Sequence, residues 1–297
     1  MPQRLKPGLI YRKVPQGILR DEYNKRTMIA HPNLINTFNK ADWIEGMARG
    51  MAVLESFDTE RQRLNATLTA QRTGLTRAAA RRHLLTLAHL GYLETDGQYY
   101  WLSAKVLGFA GSYLSGARLP RAVQPTLHQL SLATQLSCSV AVLQNDAVII
   151  VARGIWQGSD LPIKASHTVL AYGLHVGTRL PAHATSTGQV LLANLPAAQL
   201  KTWLASSSLS RLTAHTATQV KDLRQKLKRV AQQDFCLAMQ EHELGVDALA
   251  VPLRNDRGET VAALNLVRSG AGPNAPDLAT RWLPLLQQTA QALRPLI

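Results

Sequence analysis

Cysteine is almost missing from this chain: Cys138 and Cys236 are the only two in 297 residues. That scarcity excludes a disulfide framework and offers no cysteine-based zinc site. Long apolar runs are missing too. The longest wholly apolar stretches, such as 147–152, fall far short of the roughly 18–20 residues of a membrane-spanning helix. The opening MPQRLKPGLIYRKVPQG is basic and has no apolar run of signal-peptide length, so a cytoplasmic protein with no membrane partner is expected. HExxH, a Walker glycine loop and GxSxG do not occur. The nine histidines are dispersed, and His175 and His183 lack a helical ligand spacing. No catalytic residue, metal or cofactor is therefore expected. Cys138, at the start of CSVAVL, reads as a small buried residue rather than a nucleophile.

Acids are the other shortage. Nineteen Asp and Glu face 33 Lys and Arg, a formal charge of +14, which points to a polyanionic partner, nucleic acid or an anionic membrane surface. The excess is uneven. Residues 1–40 hold eight bases and two acids, 41–102 seven of each, and 103–297 eighteen bases and ten acids. The middle segment is thus neutral, yet it gathers Arg72, Arg77, Arg81 and Arg82 within eleven acid-free residues. Bulk basicity is not what these arginines supply; their placement is.

A length of 297 residues favours more than one domain. Residues 1–40, with four prolines and no sustained period, read as a flexible basic arm. From Asp42, a plausible N-cap, apolar residues at 43, 44, 47, 51, 54 and 57 predict a helix, and 64–71 predict a second. Gly74 makes a turn, and Thr76 caps a third helix, TRAAARRHLLTLAHL, ended by Gly91. Its positions Ala80, Leu84, Leu87 and Leu90 share a face, with Arg77, Arg81 and Arg82 turned away from it. YLETDGQYYWL then forms two short strands around Asp96-Gly97. Helix, turn, helix and wing over 41–102 make a winged helix-turn-helix, suited to laying its third helix in a DNA major groove. An isolated arginine-bearing helix is usually only a solvated face; the order of elements around this one argues for DNA. Arg72, one turn earlier, is placed to steady the DNA backbone.

Ser103 caps a linker helix over 103–119, whose apolar stripe serves either an intrachain core or a dimer contact. Beyond it, 120–297 alternate strand and helix patterns. A helix is expected at 121–136, a strand pair at CSVAVLQ and AVIIVARG, and an extended stretch at 163–169. Helices at 185–194, 196–205 and 219–233 follow, then strands CLAMQ, DALAVPLRN and ETVAALNLVRS and a helix at 276–293. Hairpin strands with helices gathered around them indicate an α+β domain on an antiparallel sheet.

Within that domain, LPAHATSTGQVLL places Thr185, Ser186 and Thr187 at a helix start, where free N–H groups and the positive dipole end suit a carboxylate. His183 can add a donor. Alternatively, a hydroxyl only caps the helix and His183 is structural. Arg153, ending AVIIVAR, either neutralises an acid ligand or joins a surface salt bridge.

The motifs RGMAVLESF, RTGLTRAAARRHLLTLAHLGYL, CSVAVL, GTRLPAHATSTGQVLLA and ALAVPLRNDRGETVAALNLV, in this order and spacing over about 43–293, resemble the IclR family of bacterial transcriptional regulators. The subgroup most similar is that of aromatic-acid catabolism through the β-ketoadipate pathway. The resemblance implies an N-terminal winged helix-turn-helix, a linker helix and a C-terminal GAF-like effector domain over 120–297. It implies operator DNA and a small organic acid as partners, and a homodimer or homotetramer. It also implies that Ala248 and Asn265 face the effector cavity; the alternative for Asn265 is a buried amide bonded to backbone. Two departures stand out: relatives often carry an Asp at or beside Met239, and an Arg or Lys where this chain has Gln189, expected on the surface. Two other readings compete with the effector-responsive regulator. One is an enzyme with an accessory DNA-binding domain, the other a DNA-binding dimer that senses nothing.

Overall fold

The computed structural model describes residues 40–58, 61–156, 174–270 and 277–297. The expected arm over 1–40, apart from Lys40 in a 3-10 turn, and the extended stretch at 163–169 lie outside them. Contacts divide the chain into two units that meet between Phe109 and Ala110, inside the helix expected as a linker.

In the first unit α1 (Glu45–Glu55), α2 (Ala66–Thr73) and α3 (Arg77–His89) precede a hairpin of β1 (Leu93–Thr95) and β2 (Tyr100–Leu102). Asn65 caps α2 through Oδ1, which accepts from the amides of Thr67 and Leu68. Gly74 closes that helix at φ 70, a left-handed conformation open to glycine at little cost. Thr76 then caps α3, its hydroxyl accepting from Ala79 N at 3.2 Å. The core is Val53, Phe57, Leu64, Leu84, Leu87, Leu93 and Tyr100.

Three expectations need correcting here. Asp42 does not cap α1; it lies in a short 3-10 turn, and the N-cap is Ile44, with no side-chain cap. The apolar row of α1 splits, because only the side bearing Ala52, Val53 and Phe57 meets α3 and the wing; Ile44, Met47 and Met51 remain exposed. Leu90 also leaves the core face and is 50% exposed. It follows the last turn of α3, where Tyr92 N reaches Leu87 O at 2.9 Å and Gly91 takes φ 79, a Schellman ending.

α4 (Leu107–Gly116) leads to the second unit, whose first helix is α5 (Arg118–Thr134). α5 starts three residues before the expected point, since Pro120 sits in a first turn where its missing N–H costs nothing. Strands β3 (Ser137–Gln144), β4 (Ala147–Gly154), β5 (Arg179–Pro181), β6 (Cys236–Met239), β7 (Val246–Arg254) and β8 (Thr260–Ser269) form one antiparallel sheet, ordered β5-β4-β3-β8-β7-β6. The edge strand β5 is absent from the sequence reading.

Both faces of the sheet are covered. Along β8, Ala262, Leu264 and Leu266 join the core that packs against α5 and α9 (Leu278–Leu293). Ala263 faces the opposite core, together with α6 (Ser186–Ala193), α7 (Ala197–Ser206) and α8 (Val220–Gln233). The alternation is the period-two geometry of a strand.

Two glycines let helices approach this closely. A Cβ on Gly188 of α6 would stand 2.2 Å from the carbonyl oxygen of Ala182, and one on Gly154 would stand 2.4 Å from Leu127 O. Both obstacles are backbone. Gly188→Ala is therefore expected to destabilise the second unit by about 1–3 kcal/mol. Gly111→Ala on α4, with nothing within 4 Å, should be neutral or stabilise by up to about 1 kcal/mol. Urea unfolding of the two variants checks this; equal midpoints would show that the approach at Gly188 can relax.

Candidate functional site

Two surfaces bring the candidate residues together, one in each unit. In the first, Arg77, Arg81 and Arg82 are exposed on α3, and none of the three takes part in an ion pair among the described residues. At about 100° per residue, Arg82 lies opposite Ala80, Leu84 and Leu87. Arg81 lies on the flank, and Arg77 is open at the first turn. Ala78, Leu85, Thr86 and His89 share the outward face with Arg82 and are likewise exposed. Thr76 spends its hydroxyl on the cap. Arg72 differs from the others: its guanidinium is held by Asp58. The wing is rigid at its tip, where Asp96 Oδ1 accepts from the amides of Gln98 and Tyr99 at 3.0 and 2.7 Å. Arg63 bonds Asp96 and stacks over Trp101, 4.4 Å from the ring centre.

In the second unit a cavity opens between the β3-β8-β7 face and the start of α6. About 500 Å³ of atom-free space, part of it open to solvent, is lined by Ser139, Thr185, Ser186, Thr187, Ala248 and Asn265 together with Glu241 and His242. The chain reaches it through a buried 3-10 turn, Ala182–Ala184, that hands over to Thr185 as N-cap of α6. Thr185 Oγ1 accepts from Gly188 N at 3.2 Å and donates to Pro181 O at 3.1 Å, so its hydroxyl is committed to the turn. Ser186 is different. It is 1% exposed and its Oγ is buried with no hydrogen-bond partner among the described residues. The first intrahelical bond runs from Gln189 N to Thr185 O, leaving the Ser186 and Thr187 amides at the free end of the helix.

Asn265 lines the cavity from β8. Its Oδ1 accepts from Ser139 N at 3.0 Å and from Ser139 Oγ at 2.7 Å, which orients the amide and leaves its nitrogen outside those bonds. His183 and Arg153 do not line the cavity. The His183 ring is buried, with Nε2 3.0 Å from Ser210 O, the structural role left open in the sequence. Arg153 pairs with Ser139 across β3-β4 and so shares that face of the sheet. Its guanidinium donates to the carbonyl of Leu174, which does line the cavity. Burial presses its pKa down from the ordinary value, though an arginine stays charged. It has no carboxylate partner among the described residues.

The sequence reading missed Ser139, Glu241 and His242. Glu241 Oε2 accepts from Gln189 Nε2 and pairs with Lys226 Nζ, both at 2.8 Å. Gln189, expected on the surface, is 1% exposed. It also donates to His183 O at 3.0 Å and accepts from Cys236 Sγ at 3.2 Å. All of Ser186–Leu192 is buried, because α6 is enclosed by the sheet and α8 and has no solvent face. The run CLAMQEHELG, read as lacking the acid near Met239, thus supplies a buried carboxylate at Glu241. His242 Nδ1 is buried without a partner. Burial first, then the neighbouring His183, lowers the His242 pKa and favours the neutral ring.

Neither cysteine is built for chemistry. Burial pushes the Cys138 thiol up to about 12 and raises that of Cys236 as well. In the native chain both are expected to resist Ellman's reagent at about pH 8 and to react only on unfolding; rapid labelling of either in native buffer would contradict their burial.

Both units match described protein domains. Residues 46–97 match the IclR helix-turn-helix domain and 111–294 the bacterial transcriptional regulator IclR C-terminal domain. The Pca operon regulatory protein of Acinetobacter baylyi is 47% identical over 256 residues, 86% of this chain and 90% of its own. The p-hydroxybenzoate hydroxylase transcriptional activator of the same organism is 45% identical, over 91% of this chain and 97% of its own. Among solved structures, the inducer-binding domain of an Acinetobacter PobR double mutant, complexed with 3-hydroxybenzoic acid, is 40% identical. It matches with a TM-score of 0.53 over 60% of this chain and 98% of that one. These relatives are regulators, which sets aside the reading as an enzyme with an accessory DNA-binding domain. With both of its domains matched, the chain belongs to the IclR family of bacterial transcriptional regulators.

Proposed function

We propose that this regulator reads operator DNA through 41–102, joins it by a linker helix over 103–119 to a sensor over 120–297, and responds there to a small aromatic acid. The carrying observation is Ser186 Oγ, buried without a partner at a helix start that lines a cavity. A ligand carboxylate supplies what that group lacks, and the helix N-terminus favours the negative charge. Thr187, the Asn265 amide nitrogen and the Ala248 wall complete the contacts. Arg153, with no acid partner among the described residues, balances the ligand's charge. Thr185 and His183 hold the turn that presents Ser186. The aromatic class is supported by two relatives at 45–47% identity, one of them a transcriptional activator of p-hydroxybenzoate hydroxylase, and by the 40% identical domain holding 3-hydroxybenzoic acid.

On DNA, α3 of 13 residues, about 20 Å long, lies in the major groove. Arg82, Arg81 and Arg77 meet bases or phosphates there. Thr76 and the Asp58-held Arg72 flank the backbone. The chain works in the cytoplasm as a homodimer or homotetramer. A second copy covers the exposed apolar rows of Ile44, Met47 and Met51 on α1 and of Leu107 and Phe109 on α4. Half-sites then fall about 34 Å apart.

Arg81→Ala and Arg77→Ala are expected to weaken operator binding. A base-reading arginine loses about 1–3 kcal/mol at one base position, whereas a phosphate-gripping one lowers the salt slope by about one. Electrophoretic mobility shifts at several salt concentrations check this, and unchanged binding by both variants would overturn the reading-helix assignment. For the sensor, calorimetric titration of the full chain with benzoic acids should show saturable binding. Ser186→Ala should weaken it about tenfold or more, the worth of a hydrogen bond to a charged group. A panel with no binder would leave the DNA-binding dimer that senses nothing.

A further inference from the structure

A second residue lining the cavity carries a polar atom with no hydrogen-bond partner among the described residues, and it comes from a different element than the helix start. His242 Nδ1 is buried and unbonded, on the segment that follows β6. That segment is otherwise pinned. Thr213 Oγ1 donates to Gln240 O and Thr216 Oγ1 to Glu241 O, each at 2.7 Å. The Glu241 carboxylate is taken by Gln189 and Lys226. The imidazole is thus carried on a fixed backbone into the cavity wall, beside a carboxylate that lines the same space.

The chemistry of that corner selects its ligand group. A second carboxylate next to Glu241 would meet like-charge repulsion at low dielectric. A purely apolar group would leave the imidazole nitrogen desolvated and unpaired, a standing cost. A hydroxyl avoids both: it carries no charge and donates to a neutral ring nitrogen. We infer that His242 reads a hydroxyl substituent of the effector, its Nδ1 accepting from a phenolic O–H while the acid group lies at Ser186, so that the sensor distinguishes hydroxylated aromatic acids from the parent acid. The inference rests on the acid-binding reading of this cavity and adds the residue that discriminates within the class. Sequence offered no cue to it, because a lone histidine in QEHELG has the same appearance whether it faces solvent or a cavity.

The test is calorimetric titration of the full chain with benzoate, 3-hydroxybenzoate, 4-hydroxybenzoate and 3,4-dihydroxybenzoate, repeated with His242→Phe. The wild-type chain should bind at least one hydroxylated acid about tenfold more tightly than benzoate. In His242→Phe the preference should vanish, the hydroxylated acids binding no more tightly than benzoate. A preference that survives in His242→Phe, or a wild-type chain that binds benzoate as tightly as every hydroxylated acid, overturns the role of His242 while leaving acid binding intact. Failure of all four acids to bind the wild type overturns the acid-binding reading itself, and His242 with it. Should His242→Phe not fold, nitrogen NMR of the histidine-labelled wild type decides: the His242 Nδ1 resonance should shift with a hydroxylated acid and not with benzoate, and equal shifts would overturn the assignment.

Discussion

The sensor unit is organised around a backbone contact that admits no side chain. Gly188 sits so close to the carbonyl of Ala182 that any Cβ would overlap it. The 3-10 turn of Ala182–Ala184 therefore folds directly under the first turn of α6. That contact sets the first turns of α6 directly against the turn that precedes the helix. Ser186 and Thr187 then face the strands that carry Ser139, Ala248 and Asn265, and Gln189, one turn further along, reaches Glu241 and Cys236. Gly154 plays the matching part on the other face, where α5 passes over β4. The sheet is held between two helical layers at distances that larger residues forbid.

Burying α6 completely has an electrostatic consequence. Its polar side chains must find partners inside the protein or carry a desolvation cost. Most do. Thr185 caps its own helix, Gln189 spans three groups, and Glu241 is held by Gln189 and by Lys226 from α8. Against this background two atoms stand out: Ser186 Oγ and His242 Nδ1 have no hydrogen-bond partner among the described residues, and both belong to residues that line the cavity. Asp247 Oδ1, on β7, is also buried without a hydrogen-bond partner among the described residues, but Asp247 does not line the cavity. The DNA-binding unit follows a different rule: Arg77, Arg81 and Arg82 on α3 join no ion pair among the described residues, whereas Arg49, Arg63 and Arg72 are tied to Glu45, Asp96 and Asp58.

Local signals carried most of the fold. Thr76, Gly74 and Gly91 mark the ends of their helices through their own chemistry, and Asp96-Gly97 turns the wing, all within a few residues of chain. The strands β3, β4, β7 and β8 follow their apolar alternation. What escaped the reading depends on distant parts of the chain. β5 is three residues long and exists through its pairing with β4. The solvent-facing row of Ile44, Met47 and Met51 has the helical spacing of a core face. Which apolar side faces inward is settled by α3 and the wing. The surface expectation for Gln189 comes from the Arg or Lys that relatives often carry there; its burial comes from α8 packing over α6, which the local sequence does not encode. In the same way the motif around Ser186 was legible as a helix start, whereas His242 and Glu241 join the cavity only once β6 and β7 are placed beside it.

The central claim is that occupancy of the sensor cavity by a hydroxylated aromatic acid changes what the DNA-bound chain does. Transcription in a purified system, from a promoter carrying the chain's own operator, measures this most directly. Output should change saturably as such an acid is added with the chain present, and should not respond when the chain is left out. Output that stays constant across the acid panel, with the chain bound to its operator throughout, would contradict the account.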